Sequence, residues 1–267
     1  MTEHTLRRAT APTLHYRTEG QGPAVMLIHG VGADLSSWDA IAPELATDFT
    51  VLRLDLRGHG QSGHIETDCF LTDFVRDVVD VLADAGVAQA HIVGFSLGGL
   101  IAQGLALDHP DRVDRLVLLS AVAGRTAEER ERMQSRVAIL REQGIAAISG
   151  ASQDRWFTPA FIAANPEIVR TRMEQLHNNH AASYLAAYTA FATGDLADRL
   201  DAIRAPTLIA TGEHDSGSNP RMAHLMHDRI AGSELRILPD LRHSVLVEAP
   251  EQITAMLQGF LRQQAKA

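Results

Sequence analysis

The chain has 267 residues and a formal net charge of −9 at pH 7, enough for one large core or a core with an inserted lid. The acidic balance and the lack of any Lys/Arg-rich block argue against a nucleic-acid surface, and no stretch approaches the ~20 apolar residues that span a bilayer. The single cysteine, Cys69, admits no internal disulfide, and residues 1–8 lack a signal-peptide pattern, so a cytoplasmic protein without membrane or nucleic-acid partners is expected.

In chain order, the first apolar run of strand length is 25–28, followed by the loop His29-Gly30-Val31-Gly32. Glycines on both sides of Val31 let backbone approach a ligand closely, so the Val31 N–H is a candidate oxyanion donor. A second run, 51–54, is followed by a loop containing Cys69, which has no basic partner adjacent in sequence and is not expected to be a catalytic thiol. Residues 70–85 have helical periodicity, with Phe74, Val78, Val81 and Leu82 on one face.

The run 91–93 leads into Gly94-Phe-Ser96-Leu-Gly98 and then an apolar helix from 97 to about 108, ended by His109-Pro110. Glycine two residues before and after a serine at a strand-to-helix turn is the pattern of a nucleophile elbow, because a Cβ at either place would strike neighbouring backbone. The turn presents the Ser96 hydroxyl, and the helix N-terminus supplies a second oxyanion donor, the Leu97 N–H.

After a run at 116–119 the alternation of strands and helices breaks. Residues 124–203 contain helical stretches at 127–143, 145–149, 166–177 and 181–192 and no convincing strand. The expected organisation is a core of residues 1–123 and 204–267 with a helical cap at 124–203 across the strand ends. Strands resume at 207–210, where Thr207-Leu-Ile-Ala-Thr-Gly-Glu-His-Asp215 places an acid beyond a strand end, and at 235–238, followed by His243 in a loop before a closing helix at 250–261. Alternating strands and helices imply a mainly parallel sheet covered on both faces, with its ligand beyond the carboxyl ends of the strands.

Serine at neutral pH needs a base, normally a histidine oriented by a carboxylate. The order Ser96, Asp215, His243 supplies all three at expected strand ends. Among the 13 histidines, His243 is selected by its place between the last strand and the last helix; His59, His64 and His214 are set aside. The pairs His177/His180 and His224/His227 have helical spacing but no evident third ligand, so neither a metal nor a cofactor is expected.

These motifs, together with Asp55-Leu-Arg57-Gly58-His59-Gly60-Gln-Ser62, resemble the α/β-hydrolase superfamily over nearly the whole chain. A narrower resemblance, carried by Gly94-Phe-Ser96-Leu-Gly98-Gly99 and by Asp154-Arg155-Trp156-Phe157-Thr158-Pro159, is to the 3-oxoadipate enol-lactonases. It implies hydrolysis of a small acidic enol-lactone in aromatic catabolism. Candidate substrate contacts are Arg155, whose guanidinium can pair with a carboxylate, Trp156, whose indole can line an apolar pocket, and His29 and Tyr184. The chain departs from that family at Asn178-Asn179-His180-Ala-Ala-Ser-Tyr184. The expected activity is cofactor-independent hydrolysis of a small ester or lactone; cleavage of a carbon–carbon bond in a vinylogous diketone, amide hydrolysis and slow-turnover ligand reception are the alternatives. The expected partner is a small-molecule substrate, and the oligomeric state stays open, a homodimer being compatible.

Overall fold

The six apolar runs all fall within strands of the computed structural model, which describes residues 1–263. One sheet contains β1 (Thr2–Leu6), β2 (Leu14–Glu19), β3 (Ala24–Ile28), β4 (Thr50–Leu54), β5 (Ala90–Phe95), β6 (Val113–Leu119), β7 (Thr207–Gly212) and β8 (Glu234–Leu238). Their spatial order is β1-β2-β4-β3-β5-β6-β7-β8. The β1–β2 and β2–β4 pairings are antiparallel and all others are parallel.

The helices are α1 (Ala42–Leu45), α2 (Leu71–Asp84), α3 (Leu97–Asp108), α4 (Ala127–Gln143), α5 (Ala146–Trp156), α6 (Pro159–Ala164), α7 (Pro166–His177), α8 (Ala181–Thr193), α9 (Pro220–Arg229), α10 (Val245–Glu248) and α11 (Pro250–Leu261). Successive strand residues point to opposite faces, and here both faces are buried. Met26, Ile28, Leu52, Leu54 and Ile92 pack with α2, α3 and α9, whereas Val25, Leu27, Val51 and Val93 pack with α1 and α11. Each such side chain contributes about 1.5–3 kcal/mol by leaving water. The strands therefore read as unbroken apolar runs rather than alternating ones.

Helices α4 to α8 all lie in the chain between β6 and β7, in the segment expected to be the cap. Thr126 starts α4: its side chain accepts the Glu129 N–H at 3.2 Å while Glu129 Oε2 accepts the Thr126 N–H at 2.7 Å, a reciprocal cap. Leu140, Ile145, Ile148, Leu176, Tyr184 and Tyr188 form the cap's own apolar cluster. Two differences from the sequence reading stand out here. Helix α5 runs through Gly150 to Trp156 rather than stopping at Ser149, because an isolated glycine weakens a helix by only about 1 kcal/mol relative to alanine and does not by itself end it. At one end of the sheet, β1 and β2 add an antiparallel ribbon that the sequence does not announce.

Candidate active site

Three carboxyl-end segments of the sheet meet at Ser96. The residue lies between β5 and α3 with φ 56° and ψ −115°, a backbone state that is sterically costly for a non-glycine residue. The flanking glycines allow it: a Cβ on Gly94 would overlap the Gly98 carbonyl oxygen, and one on Gly98 would overlap the carbonyl oxygen of Ile28. Helix α3 consequently passes close against the ends of β3 and β5.

His243 Nε2 lies 3.2 Å from Ser96 Oγ, and its Nδ1 lies 2.7 Å from Asp215 Oδ2. The other carboxylate oxygen, Oδ1, accepts N–H groups from Gly217 and Ser218, both at 2.9 Å. Burial pushes the Asp215 pKa up, but the charge and hydrogen bond of His243 and the two amide donors outweigh it and hold the carboxyl below its usual value. The loops carrying Asp215 and His243 are tied together, since the N–H groups of Glu213 and His214 donate to the carbonyls of Leu238 and Leu241 at 2.9 and 2.8 Å. Helix α5 grips the His243 loop as well: Ser244 N–H donates to the Trp156 carbonyl at 2.9 Å.

The N–H groups of Val31 and Leu97 donate to no partner among the described residues. Val31 lines the same cavity as Ser96, and Leu97 is the first residue of α3, so the two amides suit a developing oxyanion. His59 braces the Val31 loop: its Nδ1–H donates to the Arg57 carbonyl at 3.0 Å, which leaves Nε2 to accept the Gly32 N–H at 3.1 Å. Asp55 braces the segment from below, accepting N–H groups from Leu35 at 2.8 Å and Gln61 at 2.9 Å. In this chain the Asp55–Ser62 motif is thus a scaffold under the site.

Burial, reinforced by neighbouring His29, pushes the His59 pKa down to about 3. Between that value and the ordinary histidine value near 6.5, the unfolded chain binds a proton here that the folded chain does not. Stability therefore falls as pH falls through this window, by up to ~1.4 kcal/mol per pH unit from this residue. His59→Gln is expected to flatten the slope; urea unfolding at several pH values between 4.5 and 7 checks it, and an unchanged slope would rule His59 out.

The cavity above Ser96 encloses about 430 Å³, within the usual range for small-molecule sites. Val31, Arg155, Trp156 and Tyr184 line it together with Ser96, Asp215 and His243. His29 does not. Expected among the substrate contacts, it is fully buried at the end of β3, with Nε2 accepting the Leu56 N–H at 3.0 Å and Nδ1 donating to the Gly30 carbonyl at 2.7 Å. Both ring nitrogens are thereby committed to the scaffold. Cys69 is also buried, and its thiol pKa is pushed up to about 12, the opposite of an activated thiolate.

Among the described residues, His64, Glu66 and His180 come together, as do Glu213, His214 and Asp240, but neither cluster includes Ser96, Asp215 or His243. Arg136, Ser152 and Tyr188 line the cavity without having been expected there. Tyr188 follows Tyr184 by one helical turn and so shares its face, a signal present in the sequence. Arg136 carries no comparable signal.

Residues 23–250 match the family described as alpha/beta hydrolase fold. The chain is 33% identical over 264 residues to the (E)-2-((N-methylformamido)methylene)succinate hydrolase of Acinetobacter baylyi, covering 98% of each protein. A hydrolase from Pseudomonas aeruginosa superposes with a TM-score of 0.91 at 30% identity over 98% of both chains. The enol-lactonase from Burkholderia xenovorans gives a TM-score of 0.89 at 28% identity, covering 94% of this chain and 97% of that one. No helix among the described residues is long and apolar enough to cross a membrane.

Proposed function

The chain belongs to the alpha/beta hydrolase fold family, and from that premise we propose that it is a cofactor-independent serine hydrolase of small carboxylic esters or enol-lactones. The observation that carries this reading is His243, poised between Ser96 Oγ at 3.2 Å and Asp215 Oδ2 at 2.7 Å at the floor of a cavity. His243 takes the Ser96 proton as Ser96 Oγ attacks the carbonyl carbon, and the Val31 and Leu97 amides hold the oxyanion. Collapse of the tetrahedral intermediate expels the alcohol or enol oxygen, which takes the proton from His243. Water then attacks the acyl-enzyme by the same route and regenerates Ser96.

In an enol-lactone the leaving oxygen remains tethered to the acyl chain. Ketonisation of the released enol removes it as a nucleophile and makes ring opening hard to reverse. The names of the similar proteins, an enol-lactonase and a hydrolase of a substituted methylenesuccinate, support a small, acidic, unsaturated substrate.

The test follows 4-nitrophenyl butyrate and an enol-lactone with the wild-type protein, and quenches the reaction for peptide mass spectrometry. Turnover with an acyl adduct on the Ser96 peptide is expected. An adduct elsewhere, or no turnover of any ester or lactone, overturns the proposal.

A further inference from the structure

Away from the cavity, two histidines and a glutamate from distant parts of the chain meet near the surface. His64 and Glu66 lie in the loop between β4 and α2, and His180 is the N-cap of α8. Each offers one ligand atom, and the three atoms lie within 4.8 Å of one another. The His64 and His180 rings stack with centroids 4.1 Å apart, and His180 Nε2 lies 3.7 Å from Glu66 Oε1. None of the three lines the cavity above Ser96, so the cluster is separate from the triad.

Ser183, which is fully buried, holds the cluster together. Its Oγ accepts the Ile65 N–H at 3.0 Å, and lies 3.3 Å from the Ile65 carbonyl oxygen and 3.0 Å from His180 Nδ1. Ile65 stands between His64 and Glu66, so one serine fixes the loop and the His180 ring at once. A single proton arrangement satisfies all three contacts: the serine hydroxyl donates to the Ile65 carbonyl and accepts from both the Ile65 N–H and the His180 Nδ1–H. His180 then gives up only a long 3.4 Å contact from the Ser183 N–H. Its Nε2 keeps a free lone pair on the Glu66 side, the state of a metal-binding imidazole whose other nitrogen donates to a supporting oxygen.

Two imidazoles and a carboxylate suit a divalent transition-metal ion of the zinc class, whereas calcium and magnesium take oxygen ligands. Ligands on one tetrahedral zinc ion stand about 3.3 Å apart, so these side chains must close by about 1.5 Å at most and the stacked rings must tilt toward a common point. His64 and Glu66 are exposed and free to swing. The adjoining groove is lined by Asp34 and Glu174 and, among the described residues, by no Lys or Arg. The positive end of α8 opposes a cation at His180, but that costs at most about fivefold in affinity at an exposed terminus, and the Glu66 charge acts against it. The other surface cluster, Glu213, His214 and Asp240, has a single imidazole and is wholly exposed, which makes it the weaker ligand set.

We infer that His64, Glu66 and His180 bind one divalent transition-metal ion of the zinc class, with water completing its coordination, and that this ion fastens the start of α8 to the loop after β4. Helix α8 carries Tyr184, Tyr188 and Phe191 into the lining of the cavity above Ser96. The ion therefore holds one wall of that cavity in place without touching the reacting groups.

The test titrates zinc by calorimetry into the untagged, chelator-treated and dialysed protein, as wild type, His64→Phe, Glu66→Gln, His180→Asn and the His64→Phe/His180→Asn double variant. Phenylalanine keeps a flat ring against His180, and asparagine keeps an N-cap acceptor for α8, so the metal-free proteins are expected to melt alike. Glu66→Gln, isosteric and exposed, carries the comparison if either ring substitution disturbs the fold. One zinc per wild-type chain is expected, with affinity about tenfold or more lower in each single variant and that equivalent lost from the double. At zinc about 100 times Kd, wild type is expected to melt about 5 °C higher, a gain the double variant lacks. Zinc is also expected to slow hydrogen exchange at residues 64–66 and 181–185 in wild type only. Zinc binding of equal strength in all the proteins places the ion elsewhere and overturns the inference, as does no saturable binding by wild type or protection confined to other segments. No readout depends on ester hydrolysis, so the result bears on this site and leaves the hydrolase reading to its own test.

Discussion

Ser96→Ala is expected to lower kcat for a 4-nitrophenyl ester by about 10⁶-fold, the loss seen when a triad serine is removed, with residual catalysis supplied by the oxyanion donors and by binding. The folded state should barely respond. Alanine keeps the Cβ, which stands 3.1 Å from the ideal Cβ position of Gly30, and it inherits the same positive-φ backbone, so the packing of the elbow is preserved. What disappears is the Oγ and its 3.2 Å contact with His243 Nε2, an interaction worth about 1 kcal/mol at most in a partly solvated site. Burst kinetics and urea unfolding of the two proteins check both halves. A variant retaining even 10% of wild-type kcat would show that the attacking oxygen is not Ser96 Oγ.

The sequence exposes this site well because its parts are set by local sterics. Gly94 and Gly98 are needed where β5 turns into α3, and that need is written in two residues flanking one serine. Asp215 and His243 are chosen by position, each in a loop beyond a strand whose apolar run is plain, and the structure brings both beside Ser96. The cap was legible as helices for a related reason, since α4 begins at the Thr126–Glu129 cap and ends at Gly144 with φ 77°, both local signals. Elements whose identity depends on distant partners were not legible. Strand β1 is largely exposed and takes its form from pairing Thr2–Leu6 against Leu14–Thr18. Helix α6 is only six residues long, too short for periodicity, although Thr158-Pro159 marks its start; Asn219-Pro220 marks α9 in the same way. Adjacency to the oxyanion loop says nothing about which way the His29 ring turns; the Leu56 amide, in the loop just after β4, decides that. Arg136 is one of several arginines on a polar helix, and only the packing of α4 against α5 and α8 brings it to the cavity.

Asp215→Asn is expected to lower kcat at pH 7 by about 10⁴-fold while leaving the fold in place. The reason lies in which hydrogen bonds an amide can keep. Oδ1 of Asp215 accepts two backbone N–H groups, from Gly217 and Ser218, so the amide oxygen of an asparagine must occupy that side. Its NH₂ then faces His243 Nδ1, which in the wild type donates to a carboxylate oxygen at 2.7 Å. To avoid opposing donors, the imidazole must take the tautomer with its proton on Nε2, and the lone pair that should receive the Ser96 proton is gone. The substitution also removes a carboxylate held below its usual pKa, whose stabilising contribution is present above about pH 4 and is lost as pH falls through the lower folded value. The stability gap between wild type and variant should accordingly narrow under acid. Parallel pH series of ester hydrolysis and urea unfolding measure both effects. Wild-type kcat in the asparagine variant would mean that His243 is oriented by its own loop and by the Phe95 ring 5.1 Å away, with no need of the acid.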